Sequence, residues 1–256
     1  MIILNKKILT FNIKEVHLSD HPFDINNCDY LKFHYCKKKT DIKGFTRKKE
    51  LTSIIDLTQD LETIWQNMDR KQTRYGIRKA EREGIKVRIS NDYQQFLQMY
   101  KSFIQKKGIK PLFNTFGVGN IPLDNMKKYG TLFLAELDGK ILSANLYLEN
   151  QNAIEAWICA SKRLEAKDKK EKTLIASATR LIDWEAMKYA NNNGLKEFNF
   201  GGHWPKEEAE KDARKKGINS FKLSFGGKTV TRYYYEKIYS KSFRLIHHLY
   251  SSINKI

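Results

Sequence analysis

Arg74, Arg78, Lys79 and Arg82 stand at helical spacing, so Arg74 shares a face with Arg78 and Lys79 shares one with Arg82. From Arg70 to Arg88 eight basic residues meet two acidic ones, a net +6. Such a face grips phosphates, of RNA or of a nucleotide; the plainer alternative is a solvated helix with Glu81 and Glu83 as local partners. Gly201-Gly202-His203-Trp204 follows a strand. The glycines let a substrate approach the backbone and His203 is a candidate base, unless the segment is only a turn. Trp157 and Tyr233-Tyr234-Tyr235 offer rings to bases or to a peptide, or simply pack. No Ser-His-Asp or Cys-His arrangement is readable. Cys28, Cys36 and Cys159 make an odd count, and Cys28, His34 and Cys36 match no ligand spacing, so no metal is expected.

The 256 residues carry 47 Lys+Arg against 29 Asp+Glu, a net charge of +18. With 41% hydrophobic and 12% aromatic residues the chain has material for a packed core. These values exclude a collagen-like chain and a small disulfide knot, and no apolar run reaches the length of a spanning helix. The charge fits an anionic partner, or merely a Lys-rich surface. Unpaired cysteines and an early-charged N-terminus without a signal-peptide pattern make a cytoplasmic protein the expectation.

Several elements must position these residues. Ser53 to Leu57 reads as a strand, and Thr58 as the cap of a helix with Leu61, Ile64, Trp65 and Met68 on one face. The basic helix from Arg74 ends at Gly84. A strand (85–89), a helix (93–104) and a Gly- and Pro-punctuated connection (108–130) follow. Residues 131–137, 141–149 and 153–160 form an antiparallel meander whose first turn is Asp138-Gly139. A helix from Thr173 carries Ile175, Ala178, Ile182, Ala186 and Tyr189 as a core-facing stripe. Strands are expected at 196–200, 220–225 and 230–235. Phe243, Ile246, Tyr250 and Ile253 give the C-terminus an amphipathic helical pattern.

This order is that of the GNAT acyltransferase fold, and three segments sharpen it. Arg74-Tyr-Gly-Ile-Arg-Lys-Ala-Glu-Arg-Glu-Gly-Ile-Lys-Val87 resembles the R-x-x-I-R-K-A-E-x-x-G-x-x-V stretch of the Fem-type (FemA, FemB, FemX) peptidoglycan-bridge aminoacyltransferases. Leu181 to Gly202 is similar to that family's helix leading to G-x-x-x-(F/Y)-D-F-G-G, with Asn199 where Asp is usual. Phe221-Lys222-Leu-Ser-Phe-Gly226 is similar to its F-K-x-x-F-G. The resemblance spans about residues 53–240. It implies an α+β chain with a mixed, mainly antiparallel sheet. A degenerate, truncated GNAT-like subdomain (1–90) would precede a complete GNAT-like domain (91–240) and a C-terminal amphipathic helix (241–256).

The resemblance further implies an enzyme that moves an aminoacyl group from charged tRNA to an amino group of an anionic acceptor such as a cell-wall precursor. Lys222 would be the functional cation, with Phe221 before it on the opposite face of a strand. Arg74, Arg78, Lys79, Trp157, Gly201, Gly202 and His203 would bind substrate. Acetyl-CoA-dependent relatives hold pyrophosphate on a Gly-rich loop before the main helix. Here that loop, Lys162 to Lys172, has six basic and three acidic residues and no glycine. An RNA donor, with no other cofactor, is therefore preferred to coenzyme A. A thioester-dependent N-acyltransferase and a non-catalytic RNA-binding module are the alternatives. Lys241, Arg244 and Lys255 also leave room for peripheral contact with a membrane.

Overall fold

The computed structural model describes residues 1–108 and 122–253. It divides into two compact units, residues 51–230 and residues 1–50 with 231–256. This grouping follows strand pairing, and so differs from the boundaries at 90 and 240 expected from chain order.

In the first unit, β1 (Ile2–Ile8) pairs antiparallel with β2 (Phe11–His17), and β2 pairs in parallel with β3 (Tyr30–Cys36). β3 pairs antiparallel with β10 (Lys228–Ile238) over Tyr233–Ile238. Alternation in β3 sends Leu31 and Phe33 into a core with Val16, Cys36 and Tyr235. Tyr235 is thus a core residue: its hydroxyl accepts from Thr40 N at 2.8 Å and donates to Lys38 O at 3.2 Å. The expected C-terminal helix is α8 (Lys241–Ile253), whose buried Phe243 packs on Phe11 and Tyr30 at 5.2 and 5.1 Å between ring centroids. The side chains of Ile246, Tyr250 and Ile253 lie outside the described residues, as does Lys255.

In the second unit, β4 (Thr46–Asp56), β9 (Glu197–His203), β8 (Ala153–Ser161), β7 (Lys140–Glu149), β6 (Gly130–Leu137) and β5 (Lys86–Ser90) lie side by side in that order. Every neighbouring pair is antiparallel except β8 with β9. The Asp138-Gly139 turn has both residues at positive φ, 49° and 72°, as a two-residue hairpin with the sheet's twist requires. Helices cover both faces. Leu132 and Leu134 pack with α3 (Tyr93–Lys106) and α4 (Leu123–Tyr129), while Phe133 and Ala135 join α2 (Tyr75–Arg82) and α5 (Lys169–Asn192). Of the expected 108–130 connection, 109–121 lie outside the described residues.

Three readings are corrected. The helix after β4 is α1 (Leu61–Asn67), capped by Asp60, which accepts from Thr63 N at 2.8 Å; Thr58 instead bonds back to Asp56. The basic helix α2 is preceded by a π-type turn, Arg70–Arg74, capped by Asp69. The segment 220–225 is no strand: α7 (Ala213–Leu223), which follows the short α6 (Lys206–Lys211), runs into it, so alternation does not place Phe221 and Lys222. Phe221 and Phe225, four apart, pack together while Leu223 between them is exposed, and Asp212, accepting from Arg214 N at 2.8 Å, starts that helix.

Two glycines at positive φ separate strain from collision. At Gly139 (φ +72°) a Cβ would meet nothing within 4 Å, whereas at Gly226 (φ +80°) it would lie 2.5 Å from Asn67 O. Gly139→Ala should cost about 1 kcal/mol and Gly226→Ala at least about 3 kcal/mol, read by urea denaturation. Equal losses would refute the packing at Gly226.

Candidate functional site

The parallel strands β8 and β9 are in register only over Ala153–Glu155 and Glu197–Asn199. Beyond that rung β8 runs on to Ser161 and β9 to His203 with no pairing between them in the register, so the sheet forks. Each strand has a local cause. β8 carries a bulge, since Ile158 faces Leu146 while Ala156 faces Tyr147, leaving Trp157 over. β9 follows β4 instead, with Thr52 opposite Gly202 and Leu51 opposite His203. Gly201, at φ +74°, makes the bend that most side chains resist.

Asn199 pins the crotch of the fork. Its Nδ2 donates to Glu155 Oε2 at 3.1 Å, and its Oδ1 accepts from Gly201 N at 2.8 Å and from Thr52 Oγ1 at 2.5 Å. An ionised Asp there has no N–H to offer Glu155, which gives Asn at this position a physical reason.

Lys222 reaches the fork from α7. Its Nζ donates to Gly202 O at 2.5 Å, and burial pushes the ammonium down to about 8, opposed by the neighbouring Cys159 and Asp183. It therefore remains mostly charged at neutral pH. Cys159 on β8 is solvent-exposed yet closely surrounded by protein, as on the floor of a cleft; burial pushes its thiol up to about 12. Asp183 on α5 is buried. Its Oδ1 accepts from Tyr147 OH at 2.6 Å and from Asn145 Nδ2 at 3.0 Å. Burial pushes its carboxyl up to about 7 although those bonds and the Arg180 and Lys222 cations pull it down.

The expected residues divide between this cluster and its surroundings. Gly201 and Gly202 shape the β9 arm. Burial and Lys222 push His203 down to about 4, and its buried Nε2 has no hydrogen-bond partner among the described residues, in keeping with a neutral ring at pH 7. His203 also lines an open groove of about 810 Å³ with Trp204, Asn219, Leu223, Gln72 and Asp69. Phe221 packs on Phe225 and lies under the Arg180 guanidinium, 5.1 Å from its ring centroid. Arg180 passes so close to α2 that a Cβ on Gly76 would stand 2.7 Å from it. Arg74 donates to Gln66 Oε1 at 2.6 Å, Arg78 is exposed over Trp65, and Lys79 is half-buried. Trp157 packs against the α3 side of the sheet.

Asn145, Tyr147, Cys159, Arg180 and Asp183 escaped the sequence reading. A signal existed: Ser143, Asn145 and Tyr147 put polar groups on one face of a strand, and Asp183 interrupts Leu181-Ile-Asp-Trp184 on a buried helix. At the start of α5, Asp168 accepts from Glu171 N at 2.8 Å and Glu171 accepts from Lys167 N at 2.6 Å, a reciprocal cap made by the chain's own carboxylates. In the first unit Glu15, His17 and His34 bring ligand-type atoms within 4.8 Å of one another. Lys6 already claims Glu15 at 2.6 Å and Lys32 stands 3.9 Å away, cations that compete with any metal ion.

A forked parallel pair with a half-buried ammonium at its opening defines an acyltransferase of the GNAT fold. The chain belongs to that family: the acetyltransferase (GNAT) domain model matches residues 68–212, more than half of its length. No curated protein matches the sequence. Among solved structures, FemX superposes with a TM-score of 0.62 at 14% identity, covering 95% of this chain and 85% of that one. L-PGS from Bacillus licheniformis gives 0.57 at 14% identity over 95% and 83%. The C-terminal domain of a putative lysylphosphatidylglycerol synthetase from Agrobacterium fabrum gives 0.56 at 12% over 92% and 80%. At these identities the likeness is one of fold, and at that level it agrees with the Fem-type resemblance. No helix among the described residues is long and apolar enough to cross a membrane.

The raised Asp183 carboxyl sets a pH dependence of stability. Its folded value, about 7, exceeds the unfolded 3.8, so the folded state binds the extra proton between these limits. Stability falls as pH rises through that window, and the full cost persists above it. Asp183→Asn keeps an acceptor for Tyr147 and removes the charge. The variant should gain on the wild type from pH 4 upward and lead by on the order of 2–4 kcal/mol at pH 8, by urea denaturation at each pH. A difference constant with pH would contradict this.

Proposed function

We propose that this chain transfers an aminoacyl group from charged tRNA to an amino group of a cell-wall precursor or a similar anionic acceptor, in the cytoplasm. The observation that carries the choice of donor is the start of α5. A pyrophosphate would need the free N–H groups of that helix end. Asp168 takes the Glu171 N–H there, Glu171 takes the Lys167 N–H just before the helix, and the segment holds no glycine to wrap a pyrophosphate, which supports a donor other than coenzyme A.

The chemistry asked of the site is modest, because the ester already stores the driving force. The fork must hold the ester carbonyl and the amine at about 3–3.5 Å. As the amine nitrogen bonds to the carbonyl carbon, negative charge gathers on the carbonyl oxygen. Lys222 Nζ, steadied by Gly202 O, has further N–H donors for that oxygen. The intermediate then releases the ribose oxygen of the tRNA, which takes up the proton that the amine gives away. Arg74 at the end of the π-type turn, with Arg78 and Lys79 on α2, supplies the phosphate-binding face.

The test uses the purified chain with a panel of charged tRNAs and, separately, acetyl-CoA and longer acyl-CoAs. The acceptors are an amine-bearing nucleotide-linked cell-wall precursor and, since one neighbour is titled for lysylphosphatidylglycerol, phosphatidylglycerol vesicles. Aminoacyl transfer to an amine is expected, falling about 100- to 1,000-fold in kcat for Lys222→Ala with donor binding retained. RNA binding should weaken steeply from 50 to 200 mM salt. Transfer from a thioester alone overturns the donor, transfer to lipid alone overturns the acceptor, and unchanged turnover of Lys222→Ala removes its role.

A further inference from the structure

The transfer just described gives no task to the carboxylate beside Lys222. Asp183 is 2% exposed, and both of its hydrogen bonds end on Oδ1. Among the described residues no group donates to Oδ2, which keeps some contact with solvent. Asn145, whose Nδ2 is committed to this carboxylate, keeps a buried Oδ1 with no donor. Acceptors left unsatisfied in a buried place are costly, and they are filled by a group rich in N–H donors, best of all a charged one.

The surroundings narrow that group. Facing Asp183 are Tyr147 and Asn145 from β7, Cys159 from β8, Arg180 from its own helix and Lys222 from α7. Arg180 donates from Nη1 to Ala176 O at 3.1 Å and lies over Phe221; its buried Nε has no hydrogen-bond partner among the described residues, and none of its N–H groups donates to Asp183. Cys159, cross-strand from Asn145, marks where solvent reaches the cluster. We infer that Asp183, backed by Asn145, receives a primary ammonium group of substrate, namely the α-ammonium of the aminoacyl donor. This assignment rests on the aminoacyl-transfer reading above and names the residues that would recognise the free amine of the donor.

Two arguments favour the donor over the acceptor amine as the source. The α-ammonium sits one carbon from the ester carbonyl, so when Lys222 meets the carbonyl oxygen two cations come together. A carboxylate beside both cancels their repulsion. The acceptor nitrogen, in contrast, must attack uncharged, and a carboxylate that holds it as an ammonium would oppose the reaction.

Binding measurements decide the matter without turnover. The probes are RNA minihelices ending in a non-hydrolysable 3′-aminoacylamino-adenosine, with the amine free or acetylated, titrated by calorimetry into the full chain. The wild type should prefer the free amine by about 10- to 100-fold. Asp183→Asn should reduce the preference below about 2-fold while its affinity for the acetylated probe is unchanged. Equal binding of both probes to the wild type overturns the inference, and that comparison stands even if the variant fails to fold. A preference surviving in Asp183→Asn overturns it too, as does an intact donor preference with a raised KM for the acceptor amine. If neither probe binds, the tRNA reading itself is lost, a result distinct from binding without discrimination.

Discussion

The last rung between β8 and β9 is the constraint on which the site depends. Below it the two strands share backbone hydrogen bonds; above it each must satisfy its amides elsewhere. Asn199 makes the change abrupt, because one buried amide ties Glu155, Thr52 and the Gly201 backbone together at the crotch. A gap held open by satisfied side chains is rigid in a way that a loop-lined gap is not. That rigidity matters for a reaction whose catalysis is chiefly positioning and electrostatic stabilisation.

Around the gap the protein keeps several ionisable groups out of water at once. Lys222, Asp183 and Arg180 share one neighbourhood, and burial acts on each against its charge. Such an arrangement is poor for stability and is retained where charge is used. The arrangement also carries structure: Gly76 admits Arg180, Arg180 covers Phe221, and Phe221 packs on Phe225. The basic helix α2 is thereby linked through α5 to the helix that presents Lys222.

Much of this was legible in the sequence where a local rule decides the outcome. Asp138-Gly139 dictates its hairpin, and the stripe from Ile175 to Ala186 dictates a buried helix face. Segment 220–225 differs because Phe221, Leu223 and Phe225 alternate as in a strand, whereas only the pair four apart, Phe221 and Phe225, packs together at the helix end. Pairing of β3 is not legible locally, since its antiparallel partner Tyr233–Ile238 lies about two hundred positions later. Asp183, Asn145 and Tyr147 were missed for a related reason. Each is unremarkable in its own element, and only the packing of α5 on β7 brings them within hydrogen-bond distance.

The thiol of Cys159 is open to solvent beside Lys222 and Asp183. In an acyltransferase a thiolate there would be a rival nucleophile, taking the acyl group for itself and leaving a dead-end thioester on the enzyme. Burial pushes this thiol toward its protonated form, which disfavours that side path. The setting that discourages charge on Asp183 thus also discourages a competing sulfur anion next to it.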